Sequence, residues 1–232
     1  MTTKKALARF AGALYLLLAA LGGFSELYVR DGIVEPGNAA ATAANIVESE
    51  RLFRVGALTD LVGITAFLVL GLILFSLLRP VSSQAAITML AFVGVAVAVM
   101  TLNMANHLGA LEAALDGSDS VAMRFLETHH NGYLVAGIFF GLWLLPLGYL
   151  LLRSGYAPRW LGILAMIGSL GYVADLVANV LFGTSREPTT ELVFVPSVIA
   201  ELALVVWLLV KGLDVPDERR APVLPERAPV AA

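Results

Sequence analysis

The stretch from Leu52 to Leu78 has the sequence LFRVGALTDLVGITAFLVLGLILFSLL and is the most informative about the fold class. From Leu61 to its end, this stretch contains no charged side chain. A bilayer hydrocarbon core about 30 Å thick is crossed by about 20 mostly apolar residues in an α-helix. The stretch therefore predicts a transmembrane helix.

Five further segments have the same length and apolar character, which predicts an all-α, polytopic membrane protein built as a six-transmembrane-helix bundle. The transmembrane domain is expected to cover residues 1–213, and the proline-rich residues 214–232 predict a disordered cytoplasmic tail. The first segment starts like a signal peptide, but its apolar run continues through Tyr28 and predicts a retained anchor. The five segments run from about Ala6 to Tyr28, Ala85 to Leu108, Gly132 to Leu152, Trp160 to Phe182 and Leu192 to Leu213.

The composition of the 232-residue chain agrees with lipid as its solvent. Hydrophobic residues make up 59% and charged residues 14%, and the mean hydropathy is +0.84. Soluble domains have about 45–50% apolar and about 25% charged residues, so a soluble enzyme and a disordered chain are excluded. Lys and Arg number 15 against 18 Asp and Glu, which argues against a nucleic-acid partner. The chain has no Cys, which excludes disulfides, iron–sulfur clusters, thiolate zinc sites and cysteine nucleophiles.

The loop charges predict a plasma (inner) membrane protein with cytoplasmic N- and C-termini, because Lys and Arg concentrate on the cytoplasmic side. With that orientation, the inner side holds Lys4, Lys5, Arg9, Arg79, Arg153, Arg159, Lys211, Arg219, Arg220 and Arg227, and the outer side holds Arg30, Arg51, Arg54, Arg124 and Arg186. The first outer loop is long and alanine-rich from Ala39 to Ser49. Asn38 is a plausible N-cap, which predicts a short helix at the outer face.

Polar side chains fall in the predicted outer half of the spans. Inserting an ionisable group into the membrane costs about 2.5–3.5 kcal/mol, so such a residue is expected to have a structural or functional role. Asn103, Asn106 and His107 follow the i, i+3, i+4 spacing of one helix face. The pattern predicts an outward-facing polar pocket, sealed on the inner side by apolar side chains. Its candidate catalytic residues are Asp60 and Glu201. The candidate ligand-binding residues are Arg54, Asn103, Asn106, Tyr133 and Asn179, and the candidate metal ligands are His107, His130 and Asp175.

Imidazole and carboxylate groups suit zinc or another divalent metal, whose bound hydroxide could hydrolyse a lipid from the outer leaflet. The chain has no HExxH motif, so such ligands would have to converge from separate helices. The leading interpretation is a pocket for a small molecule or lipid, with or without that hydrolysis. Three alternatives stay open: haem held between His107 and His129 or His130, a proton-coupled solute carrier, and a structural or accessory protein without enzymatic activity.

Asparagines at these positions are also compatible with hydrogen bonds between helices that have no ligand role. Small residues such as Gly137 and Gly141 allow close helix contacts, either within one bundle or in a homo-oligomer.

Local strings along nearly the whole chain give a family resemblance. These strings are Arg9–Leu16, Ala43–Ile46, Leu52–Gly56, Asp60-Leu61, Leu78–Val81, Phe139–Gly141, Leu147–Leu150, Ser154–Tyr156, Pro158, Leu161-Gly162, Gly171-Tyr172, Glu201-Leu202, Trp207–Leu209 and Lys211-Gly212. In them the chain resembles the bacterial integral membrane proteins of the family called domain of unknown function 4386. The resemblance implies a compact multi-helix membrane protein and no particular activity.

Overall fold

The structure is a computed structural model that describes the backbone of residues 3–182 and 188–216. These residues fold into helices. The first helical run consists of α1, a π-helical segment and the short α2, in direct succession. The elements are α1 (Thr3–Gly23), the π-helical segment (Phe24–Arg30), α2 (Asp31–Ile33), α3 (Ala39–Glu48), α4 (Glu50–Leu78), α5 (Ser83–Leu115), α6 (Asp119–Leu142), α7 (Leu144–Ser154), α8 (Arg159–Phe182) and α9 (Pro188–Val210).

Five helical runs in the described part of the chain are long and apolar enough to cross a membrane. They are Thr3–Ile33, Glu50–Leu78, Ser83–Leu115, Asp119–Ser154 and Arg159–Leu181. The described apolar part of α9, Phe194–Val210, is shorter than such a span. The prediction of a helical multi-pass membrane protein is therefore confirmed, whereas the sixth span remains a prediction.

The helices pack in a closed order around the molecule. α1 contacts α4, and α4 contacts α5. α5 then contacts α6, and both α6 and α7 contact α8. α8 contacts α9, which returns to α1. Gly12 of α1 permits this closure, because a Cβ atom there would lie 2.6 Å from the backbone nitrogen of Leu209.

The two ends of the described chain, near Lys4 and Pro216, lie at one end of the bundle, which we call the terminal end. The ammonium of Lys5 pairs with Asp214 at 2.7 Å, and Lys4 donates a hydrogen bond to the carbonyl of Pro216. Leu213 and Val215 are buried. The described residues extend to 216, and packing against the bundle continues past residue 213 to Val215. Residues 217–232 of the predicted tail lie outside the described residues.

The opposite end, which we call the α3 end, carries the alanine-rich helix. The side chain of Asn38 accepts a hydrogen bond from the backbone N–H of Ala41, which confirms the predicted N-cap. Ile46 of α3 is buried in an apolar cluster with Phe53 of α4 and Leu111 of α5. The position of α3 relative to the membrane remains a prediction.

The π-helical segment changes which side chains face the interior. In an α-helix, residues five positions apart point about 140° away from each other. In this segment the hydrogen bonds run from i+5 to i, as from the Asp31 N–H to the Glu26 carbonyl, and the turn widens. Ser25 and Arg30 consequently share the buried face and form a hydrogen bond of 2.9 Å. The helical run thus continues five residues past the predicted end at Tyr28.

The predicted fourth segment, from Gly132 to Leu152, corresponds to two helices rather than one. α6 begins earlier, at Asp119, because the third and fourth helices extend beyond their apolar parts to the turn at Gly117. The run is interrupted between Leu142 and Leu144. Pro146 follows immediately, and its missing N–H leaves the carbonyl of Leu142 without its helical donor.

Candidate functional site

A cluster of charged and polar side chains, buried at Ser25, Arg30 and Asp60, joins the first helical run to α4 and α6. We call it the arginine cluster, and it consists of Ser25, Glu26, Arg30, Asp60 and Tyr133. Arg30 is 6% exposed and Asp60 is 3% exposed. Arg30 Nη1 lies 2.7 Å from Asp60 Oδ2, and Arg30 Nε lies 2.6 Å from Glu26 Oε2. Two carboxyl groups therefore balance one buried guanidinium.

The donors of Arg30 are all engaged within this cluster. A guanidinium has five N–H donors in a fixed geometry. Nε donates to Glu26, Nη1 donates to Ser25 and Asp60, and Nη2 donates to Tyr133 at 3.1 Å and lies against Glu26. The Tyr133 hydroxyl donates in turn to Asp60 Oδ1 at 3.2 Å. The cluster is thus preorganised, and no donor of Arg30 is left over for a further anion.

Sequence reasoning missed Arg30, because the first segment was expected to end at Tyr28. A signal was present in the spacing of Glu26 and Arg30, which lie four residues apart as in a helical ion pair. Arg54, the predicted cationic site residue, lies elsewhere. It is exposed and pairs with Glu50 at 2.8 Å, one turn away on α4.

A second polar group, the histidine cluster, lies next to the arginine cluster and consists of Asn103, Asn106, His107 and His129. Asn103 Nδ2 donates to the carbonyl of His129 at 2.8 Å, and Asn106 donates to Asn103 Oδ1. His107 Nε2 lies 3.0 Å from the carbonyl of Phe53, and its ring stacks on the Phe53 ring. His129 Nδ1 lies 3.1 Å from the carbonyl of Asn103. These bonds connect α4, α5 and α6.

A cavity of about 400 Å³ opens at the α3 end beside the arginine cluster. One wall is polar and contains residues of both clusters. The other wall is apolar and comes from the loop after α2 and from α6. The lining residues are Glu26, Arg30, Asp31, Val34, Pro36, Gly37, Met123, Leu126, Glu127, His129, His130, Asn131 and Tyr133. Among the predicted site residues, all of which the structure describes, His130 and Tyr133 line this cavity.

Glu201 belongs to a separate polar contact between α8 and α9. The Tyr172 hydroxyl donates a hydrogen bond of 2.7 Å to Glu201 Oε1, and Tyr15 of α1 lies beside the same carboxyl group. Asp60, by contrast, is held in the arginine cluster. The two predicted catalytic carboxyl groups are therefore in different parts of the bundle.

We expect Tyr172→Phe to lower the free energy of unfolding by about 0.5–1.5 kcal/mol, because Glu201 loses its hydrogen-bond donor. SDS-titrated unfolding in mixed micelles measures this change. Tyr149→Phe is the matched control, since Tyr149 is exposed on α7 and its ring hydroxyl should not contribute. Equal losses in both variants would show that the contact with Glu201 contributes nothing.

The predicted metal ligands are distributed over three elements. His107 is buried in the histidine cluster, His130 lines the cavity, and Asp175 accepts a hydrogen bond from Asn179 one turn along α8. Among the described residues, no group of three or more His, Asp or Glu side chains is placed to hold a metal ion. The predicted trio is thus not brought together.

The fold defines the class of protein as a helical, multi-pass membrane protein. The chain belongs to the family described as Domain of unknown function (DUF4386), which matches residues 10–212. It is similar to an archaeal protein from Archaeoglobus fulgidus described as an uncharacterized protein. The two are 33% identical over 141 residues, which is 60% of this chain and 72% of the relative. No solved structure matches the chain.

Proposed function

We propose that this chain is a plasma-membrane protein that binds a small molecule or a lipid headgroup in the cavity at the α3 end. In this proposal six helices span the bilayer, both termini are cytoplasmic and the cavity faces outward. The observation that carries the proposal is the position of the cavity directly against a buried, fully hydrogen-bonded arginine cluster.

The orientation is supported by the charges at the terminal end. Lys4, Lys5 and Arg9 begin the chain there, and Lys5 and Arg9 contact residues that follow α9 or end it. An excess of Lys and Arg marks the cytoplasmic side of membrane proteins. The α3 end then faces outward, with its long loop and the mouth of the cavity.

Ligand binding is supported by the size and the lining of the cavity. Pockets for small molecules have volumes of about 300–1,000 Å³ and combine apolar walls with a few oriented polar groups. Here Val34, Met123 and Leu126 form the apolar side, and Glu26 and Tyr133 are held in place by Arg30. Because the side chains of the polar wall are already held in place, a ligand binds without the entropic cost of ordering them.

The proposal contains no hydrolytic step. Asp60 accepts hydrogen bonds at both carboxyl oxygens from Arg30, Ser25 and Tyr133, which suits a role in positioning Arg30. Glu201 lies in the separate contact with Tyr172. Binding alone is therefore the function that these residues support best.

A cavity-filling variant tests the proposal. The protein in nanodiscs is screened against a library of polar metabolites and lipid-headgroup analogues for ligands that raise the unfolding temperature. Met123→Trp should abolish the shift, because the indole occupies the cavity. Leu102→Trp is the control, since Leu102 is 76% exposed on α5, and it should keep the shift. A library without any stabilising ligand, or shifts that survive in Met123→Trp, would contradict the proposal and favour a structural or accessory role.

A further inference from the structure

We propose that the cavity selects a protonated amine, whose N–H groups donate to His129 and whose positive charge is matched by surplus carboxylates. This inference rests on the proposed function, because it names the chemical class of the ligand for the same cavity. Two independent observations carry it: the balance of charge around the cavity, and a buried nitrogen atom without a partner.

The charged groups at the cavity leave a surplus of negative charge. Glu26, Asp31 and Glu127 line the cavity with Arg30 as the cation among them. Arg30 is already matched by Asp60, which lies behind it at 2.7 Å. Its five donors are also engaged, so it offers nothing to a carboxylate or phosphate ligand. Counting Asp60, four carboxylates stand against one guanidinium at the cavity, so an anion would be repelled, whereas a cation would be attracted.

The second observation is the ring of His129, which lines the cavity and is 2% exposed. A backbone carbonyl can only accept a hydrogen bond, so the contact between Nδ1 and the carbonyl of Asn103 requires the proton on Nδ1. In the neutral ring, Nε2 then carries a lone pair. Among the described residues, no group donates to this buried nitrogen. A buried acceptor without a donor costs free energy that a donating ligand would recover.

The neighbouring imidazole cannot supply that donor. His107 Nε2 contacts the carbonyl of Phe53, which places its proton on Nε2 and leaves a lone pair on Nδ1. The rings of His107 and His129 have centroids 5.5 Å apart. Two lone pairs cannot form a hydrogen bond with each other, so His107 leaves the acceptor of His129 without a donor.

The apolar wall defines the rest of the ligand. Val34, Met123 and Leu126 offer a surface for a short carbon chain attached to the amine. A quaternary ammonium has the charge but no N–H donor, and an alcohol has a donor but no charge. The structure therefore predicts a definite order of affinity among ligands that share one chain length.

The experiment measures binding of n-butylamine, butan-1-ol, butanoate and butyltrimethylammonium to the protein in phosphatidylcholine nanodiscs by titration calorimetry. We expect n-butylamine to bind at least about tenfold more tightly than the other three, because it alone combines charge with an N–H donor. Its affinity should fall as salt is raised from low ionic strength to 0.5 M. Tighter binding of butanoate or butan-1-ol, or equal binding of butyltrimethylammonium, would overturn the inference.

Variants test the His129 acceptor and the surplus of carboxylates separately. His129→Asn keeps a donor for the carbonyl of Asn103 but removes the Nε2 acceptor, so n-butylamine should bind about tenfold more weakly. Glu127→Gln and Asp31→Asn, both exposed, should each weaken binding by about 2- to 5-fold. Glu112→Gln, exposed on α5 away from the cavity, is the control and should leave the affinity unchanged. Unchanged affinity in His129→Asn would overturn the assignment of that acceptor.

A comparison of lipids identifies the source of the amine. Phosphatidylethanolamine presents N–H donors and phosphatidylcholine does not. A higher unfolding temperature in phosphatidylethanolamine nanodiscs, lost in His129→Asn, would identify a lipid headgroup, and binding of n-butylamine without that lipid effect would identify a free amine. If the library yields a ligand of another class and no amine binds, this inference fails while the proposed function stands. If nothing binds at all, both fail.

Discussion

Replacing Arg30 by Met is expected to lower the free energy of unfolding by about 3–5 kcal/mol. The side chain of Asp60 is 2% exposed and lies 2.7 Å from the Arg30 guanidinium. Without Arg30, this carboxylate stays buried with only the hydroxyl groups of Ser25 and Tyr133 as donors. Breaking one side of a buried ion pair costs about 3–5 kcal/mol, since it leaves an uncompensated charge. SDS-titrated unfolding in mixed micelles measures the loss.

The double variant Arg30→Met with Asp60→Leu separates the lost ion pair from lost packing. Apolar replacements of both partners are often neutral or stabilising, so the double variant should recover at least half of the loss. Glu50→Ala removes the exposed partner of Arg54 and is the matched control, with an expected change of about 0–1 kcal/mol. A loss in Arg30→Met no larger than that of Glu50→Ala, or no recovery in the double variant, would contradict this account of the cluster.

Gly148→Leu is expected to disrupt the crossing of α7 and α8 strongly. A Cβ atom on Gly148 would lie 2.6 Å from the Met166 side chain and in direct conflict with the carbonyl of Gly162, and a Cβ atom on Gly162 would lie 2.6 Å from the carbonyl of Gly148. A backbone carbonyl cannot rotate away as a flexible side chain can. Overpacking costs about 1–3 kcal/mol, so Gly148→Ala should lose about that amount and Gly148→Leu more.

Gly137 of α6 is the control for this prediction. A Cβ atom there has no neighbour within 4 Å, so Gly137→Ala should be neutral or stabilise by up to about 1 kcal/mol through helix propensity. Similar unfolding midpoints for Gly137→Ala and Gly148→Ala would show that the close contact of α7 with α8 is absent. Gly141, by contrast, lies against Tyr172 within the bundle. Of these two small residues, Gly137 rather than Gly141 is therefore the open one.

The sequence was sufficient for the helical class because apolar length is a local property. The run from Leu61 to Leu78 is by itself long enough and apolar enough to indicate a transmembrane helix. The cap at Asn38 was equally local, since it depends on one side chain and the next helical turn. The interruption before Pro146 was not predicted, although the missing N–H of proline is visible in the sequence.

The site was predicted less well because it depends on which face of each helix turns inward. The i, i+3, i+4 spacing correctly grouped Asn103 with His107, and both are buried. Predicted depth in the membrane also selected Arg54, but the side chain of Arg54 lies on the exposed face of α4 and pairs with Glu50. The inward-facing cation is Arg30, and only the widened π-helical turn brings it to the face of Ser25. Neither property follows from composition or hydropathy.

The proposed function requires the cavity beside Arg30 to be open to the outer side of the membrane. The chain contains no cysteine, so one introduced thiol reports on a single position. The measurement is the labelling of Met123→Cys, in the cavity wall, and of Ser83→Cys, exposed at the terminal end, by a membrane-impermeant maleimide in intact cells. We predict that Met123→Cys is labelled in intact cells and that Ser83→Cys is labelled only after permeabilisation. Labelling of Met123→Cys only after permeabilisation would contradict the proposed function.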